Sequence, residues 1–133
     1  MGYFEELTIK TDTQGMYNIT KEITGTVKRS GISEGIAIVF CPHTTAGITM
    51  NENTDPNVGH DLLFGMAHAF PDHAQFTHSE GNSFAHLRSS MVGCEVILIV
   101  EDNWPKLGVC QNVFLLEFDG PRTRSFYVKI LEG

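Results

Sequence analysis

A chain of 133 residues with 41% apolar side chains is long enough to bury one core and too apolar to stay unfolded. Nine Lys and Arg against sixteen Asp and Glu leave a formal charge of −7 with no basic stripe, which sets aside nucleic acid and anionic membrane surfaces as partners. No apolar run approaches the roughly 20 residues of a bilayer-spanning helix.

The opening MGYFEELTIK carries acids where a secretory signal has a basic and then an apolar stretch, so the expected location is cytoplasmic. Tyr3–Thr11 alternates loosely and reads as an edge strand. Thr20 stands where it would cap a helix over Lys21–Arg29, with Ile23 and Val27 on one face and Gly31 just past the end. The apolar run Gly35–Cys41 reads as a buried strand. Pro42-His43-Thr44 interrupts it and Ala46–Met50 resumes extended character, which predicts a bulge or tight bend between them. The next helix has both start signals, Asp55 as cap and Pro56 in the first position, and Val58, Leu62, Met66 and Phe70 repeat along it.

Pro71-Asp72 stops that helix, and residues 71–82 read as an exposed loop before a short helical turn around Ser83–Ser90. From Cys94 the chain is strand-rich: EVILIVED, a turn at Asn103-Trp104-Pro105-Lys106, VCQNVFLLEF, a turn at Asp119-Gly120-Pro121-Arg122, then SFYVKIL. No repeat or linker divides the chain. The expected fold is a single α+β domain over residues 1–133, with two main helices and a mainly antiparallel sheet curled into a barrel-like or sandwich form. Cys41, Cys94 and Cys110 sit in or beside apolar runs without a CxxC pair and read as buried free thiols.

All six histidines lie between His43 and His86. Imidazole is a common metal ligand and the side chain best suited to proton transfer near neutral pH, so chemistry is expected in this middle third. His43 falls at the break between two strands, beside the hydroxyls of Thr44 and Thr45; the plain alternative is a strand-end histidine bonded to a neighbouring carbonyl. His78 and His86 flank Glu80, Gly81 and Asn82, the materials of an open metal site or of a polar loop facing water. Asn51, Glu52 and Asn53 precede the Asp55 cap and could line the same pocket. His60 and His68 lie two helical turns apart, too far for one ion, and together with His73 read as a solvated face. Arg88, Lys106, Gln111, Arg122 and Arg124 are the candidate anion binders.

Taken together and in order, four segments resemble the signature series of the YjbQ-like family, often labelled secondary thiamine-phosphate synthase. They are His43-Thr44-Thr45-Ala46-Gly47-Ile48-Thr49, Asn51-Glu52-Asn53 with Asp55-Pro56, His78-Ser79-Glu80-Gly81-Asn82 with Ala85-His86, and Glu117-Phe118-Asp119-Gly120-Pro121-Arg122. The resemblance implies a compact α+β domain that assembles as a homotrimer and acts on a phosphorylated small molecule. It also implies a divalent ion, zinc or magnesium, held by His43, His78 and His86. Some members are credited with joining a pyrimidine diphosphate to a thiazole phosphate with loss of pyrophosphate. On that pattern His43, Glu80 and His86 are the expected catalytic residues, while Thr44, Thr45, Asn51, Glu52, Asn82, Arg88 and Gln111 are expected to hold substrate or phosphate. The alternative is a trimeric small-ligand or ion-binding protein without turnover. Two departures stand out. The usual Gly-Thr-Trp-Gln-Gly stretch is Gly108-Val109-Cys110-Gln111-Asn112, which would reshape a pocket wall, and Arg88 replaces the usual lysine.

Overall fold

Eight strands and three helices follow one another in the computed structural model, which describes residues 1–133. They are β1 (Gly2–Lys10), β2 (Gly15–Asn18), α1 (Thr20–Ser30), β3 (Gly35–Phe40), β4 (Ala46–Glu52), α2 (Pro56–Ala69), α3 (Ser83–Val92), β5 (Glu95–Glu101), β6 (Trp104–Lys106), β7 (Gln111–Glu117) and β8 (Thr123–Glu132). The strands form a five-stranded sheet of order β1-β8-β3-β5-β6 and a three-stranded sheet of order β2-β7-β4, and every pairing is antiparallel. The larger sheet curls into a half-barrel, so the α+β expectation holds. No helix is long and apolar enough to cross a membrane.

The core lies between the two sheets and α1. Along β8 the period of two sends Phe126, Val128 and Ile130 inward, where they meet Ala37 and Val39 of β3, Ile48 of β4 and Ile23 and Val27 of α1. Each such fully buried aliphatic or aromatic side chain contributes about 1.5–3 kcal/mol relative to exposure. In β7 the unbroken run Val113–Leu116 is buried on both faces. Val113 and Leu115 enter this core, whereas Leu116, with Phe118 just beyond the strand, packs with Ala85 under α2 and α3. Helix α2 is thinly held: none of its residues is fully buried, and Phe64 is 58% exposed.

Local signals placed several boundaries correctly. Asp55 accepts a hydrogen bond from the Asn57 amide at 2.9 Å ahead of Pro56, and Gly31 closes α1 in the left-handed region at φ +67°. Four readings need correction, and one strand carries no signal in the sequence. Thr20 does not cap α1; its Oγ1 accepts from the Val113 amide at 2.9 Å, and the Asn18 side chain accepts from the Thr20 amide instead. Strand β2 is the one without a signal, because its four residues, GMYN, begin with glycine and show no alternation. At Pro42–Thr45 the chain bends, as one of the two alternatives expected, but it forms no bulge: there it leaves the larger sheet and enters the smaller one.

The turn expected at residues 103–106 lies one step earlier. Asp102 and Asn103 take left-handed φ values of 54° and 56°, as a two-residue hairpin loop requires, so Trp104–Lys106 pair with β5 as a strand. Lastly, Cys41 is buried, but Cys94 is only partly covered and Cys110 is exposed; all three are free thiols.

Candidate functional site

Three stretches of chain meet at one rim of the larger sheet and enclose a cavity of about 280 Å³. The sheet-to-sheet crossing supplies His43, Thr44 and Thr45. The loop before α3 and its first turns supply Glu80, Asn82 and His86, and β8 with the turn before it supplies Arg122 and Arg124. Apart from Pro42, every wall is a polar or ionisable side chain.

A buried ion pair frames this cavity. Arg124 Nε donates to Glu117 Oε2 at 2.7 Å, and Arg124 Nη2 donates to the Thr45 hydroxyl at 2.8 Å, which ties β8 to β7 and to the crossing. Glu117 also accepts from the Thr11 hydroxyl at 2.7 Å and from the Asp119 amide at 2.9 Å. Burial alone would raise the Glu117 pKa; the hydrogen bonds from Arg124, Thr11 and Asp119 outweigh it and hold the carboxyl below its ordinary value. Asp119 is likewise held low against its burial, because Asn82 Nδ2 donates to it at 2.7 Å and Arg122 Nη2 at 3.0 Å. The turn between them needs Gly120, since a Cβ there would stand 1.8 Å from the Asp12 carbonyl oxygen.

His43 is oriented by one contact. The Ser125 backbone N–H donates to its Nε2 at 2.9 Å. An amide N–H is only a donor, so Nε2 is the acceptor nitrogen and the neutral ring carries its proton on Nδ1. Burial, and then the Arg124 cation, lower the His43 pKa and favour the neutral ring.

His78 and His86 meet edge to face with ring centroids 5.4 Å apart, and His78 Nε2 lies 3.0 Å from Glu80 Oε2. Glu80 and His86 line the cavity, and His78 stands behind them, hydrogen-bonded to the first and packed against the ring of the second.

This arrangement does not fit the expected three-histidine ion site within one chain. His43 has one nitrogen occupied by an amide and the other protonated, and no three His, Cys, Asp or Glu groups stand together at ligating distances.

The remaining expected site residues fall elsewhere. Arg88 is buried beneath α2, donating from Nε to the Phe70 carbonyl at 3.0 Å with its guanidinium over the Phe84 ring, so it serves packing. Asn51, Glu52 and Gln111 converge with Cys110 on a separate shallow depression, because Glu52 pairs with Gln111 across β4 and β7. His60 and His68 stack against Phe64 on the exposed face of α2, and His73 packs edge-on against Phe76 in the loop that follows. Conversely, Arg122 and Arg124 belong to the cavity although residue pattern alone marked them only as general anion binders. A usable signal existed: Glu117 is a lone carboxylate in the apolar run VFLLEF, and a buried carboxylate requires a cationic partner.

The sequence model of the YjbQ family, described as UPF0047 protein YjbQ-like, matches residues 5–133. The UPF0047 protein MJ1081 of Methanocaldococcus jannaschii is 49% identical over 124 residues, covering 92% of this chain and 90% of that protein. The UPF0047 protein YugU of Bacillus subtilis is 45% identical over 127 residues, covering 94% and 96%. Two crystal structures superpose closely. An uncharacterised YjbQ/UPF0047 family protein of Clostridium acetobutylicum has a TM-score of 0.93 at 44% identity, covering 96% of this chain and 99% of that one. A YbjQ-like protein of unknown function from Sulfolobus solfataricus has a TM-score of 0.95 at 31% identity, covering 100% and 99%. With nearly the full length matched in sequence and in backbone, the chain belongs to the YjbQ-like UPF0047 family.

Proposed function

We propose that the cavity binds the phosphate or diphosphate of a small phosphorylated substrate, and that the protein is a transferase of the thiamine-phosphate synthase kind. One observation carries this reading: two segments far apart in sequence, His43-Thr44-Thr45 and the stretch with Glu80, Asn82 and His86, share one polar cavity with Arg122 and Arg124. In a displacement of pyrophosphate, the costly step is the growth of negative charge on the departing oxygen. Fixed donors stabilise that charge without reorganising, and a domain of net charge −7 needs such local compensation. Glu80 and His86 in the cavity wall, with His78 behind them, supply proton transfer.

The same reading has three copies assemble through the outer face of the five-stranded sheet. Ile97 and Ile99 of β5 are 59% and 60% exposed there, beside Ile36 and Phe40 of β3 and Leu131 of β8. An apolar strip of this extent is unfavourable in water unless a partner covers it.

A second reading, a trimeric small-ligand binder without turnover, is favoured by one feature. Apart from Pro42 the cavity has no apolar wall against which a pyrimidine or thiazole ring could pack. Incubation with the pyrimidine diphosphate and the thiazole phosphate, following pyrophosphate release, separates the two. Release that is lost in His86→Ala supports the transferase. Phosphate binding with no release supports the binder, and neither binding nor release removes both. Light scattering checks the assembly: a monomer in solution removes the trimer.

A further inference from the structure

We infer that His43 serves as a neutral hydrogen-bond donor, presenting its Nδ1–H to an anionic oxygen of the ligand in the cavity and acting neither as a base nor as an ion ligand. This rests on the reading that the cavity holds a phosphorylated ligand, and it goes further by fixing which proton His43 carries and what that proton does.

Three observations converge. The Ser125 amide occupies Nε2 at 2.9 Å, which leaves Nδ1 as the protonated nitrogen. Nε2 carries the only hydrogen bond that the His43 ring makes within the chain, and the residue lines the cavity, so we assign Nδ1–H to the ligand. The neighbouring cations keep only part of their donor capacity for a ligand: Arg124 is turned towards Glu117 and Thr45, and Arg122 gives its Nε and one Nη2 contact to Asp119. A neutral imidazole N–H can polarise an oxygen without itself changing charge, and in a partly buried site such a donor is stronger than in water. An ion at Nδ1 would require an imidazolate, which an ordinary ring does not form near neutral pH.

The test uses the full chain labelled with ¹⁵N, observed near neutral pH by two-bond proton–nitrogen correlation with and without inorganic phosphate. The expected result is a His43 ring with Nδ1 protonated and Nε2 unprotonated, and a shift of its Nδ1–H resonance on phosphate addition. Binding is measured in parallel. His43→Asn, which keeps a donor near the Nδ1 position, is expected to bind within a few-fold of the parent, while His43→Phe binds at least about tenfold more weakly, the loss of one hydrogen bond to a charged group. A proton on Nε2 overturns the assignment. So does phosphate that shifts the Arg122 and Thr45 resonances but leaves His43 Nδ1–H in place, and in that case the cavity reading survives. Absence of any phosphate response overturns the cavity reading and this assignment together. If His43→Phe does not fold, the resonances of the parent chain decide.

Discussion

Arg124 and Glu117 come from different sheets and meet almost wholly out of water, with 4% and 0% of their side chains exposed. Their contact closes the rim where the sheets approach, and through the Thr45 hydroxyl it also sets the crossing that carries His43. The pair therefore links stability to the geometry of the site.

Removing one member leaves a buried, uncompensated charge. Arg124→Ala is expected to destabilise the fold by about 3–5 kcal/mol in urea unfolding. The double variant Arg124→Met with Glu117→Leu should recover much of that loss in stability, yet lose phosphate binding because Thr45 is no longer held. A single Arg124→Ala cost below about 1 kcal/mol would show that the pair is not closed to solvent.

Asn103 joins the β5–β6 hairpin to the end of α1. Its Nδ2 donates to the carbonyls of Val27 at 2.7 Å and Ile32 at 2.8 Å, while its backbone holds φ at 56°. Asn103→Gly relieves the backbone but removes both bonds, and about 1–3 kcal/mol of destabilisation is expected. Asn103→Ala removes the bonds and retains the strain, so it should melt lower than the glycine variant. The order of the two melting temperatures is the measurement.

Glu5 predicts an acid-side effect. Arg29 grips it in a two-point contact at 2.8 and 2.7 Å, assisted by the Tyr3 and Thr26 hydroxyls, and its pKa falls from the ordinary 4.5 to about 2. A carboxyl depressed on folding stabilises the fold above its unfolded pKa, and that contribution is lost as pH drops from about 4.5 towards 2. Because Glu117 and Asp119 are also held low, the comparison must be with Glu5→Gln, whose stability should fall less over this window. A Glu5 carboxyl carbon titrating near its ordinary value would refute the contact in solution.

Two groups of polar residues separate cleanly. Replacing Asn51, Glu52 and Gln111 together by alanine is expected to leave phosphate affinity within about twofold, since they line a different depression. Arg122→Ala should weaken it by about tenfold or more, the loss of one charged donor. Calorimetric titration with inorganic phosphate decides between them, and the opposite ranking would move the anion site to the β4–β7 edge.

What residue order determined was mostly local. The Asp55-Pro56 start of α2, the Gly31 end of α1 and the alternating face of β8 act over a few residues, so each could be read without knowing its neighbours in space. The family motifs likewise marked His43, Glu80, Asn82 and His86, all four of which line the same cavity. Tertiary structure alone decided the rest. Thr20 became a partner of β7 because Val113 reached it from 93 residues away. Asn51 and Glu52, near His43 in sequence, were carried along β4 to the opposite end, while Arg124 was placed by the register of β8 against β1, opposite Ile9, and Arg122 by the turn that precedes β8. The proton position on His43 depends on an amide 82 residues distant. Turn and helix preferences extend about four residues, whereas a cavity is defined by strand register, which emerges only when a whole hydrophobic face is buried at once.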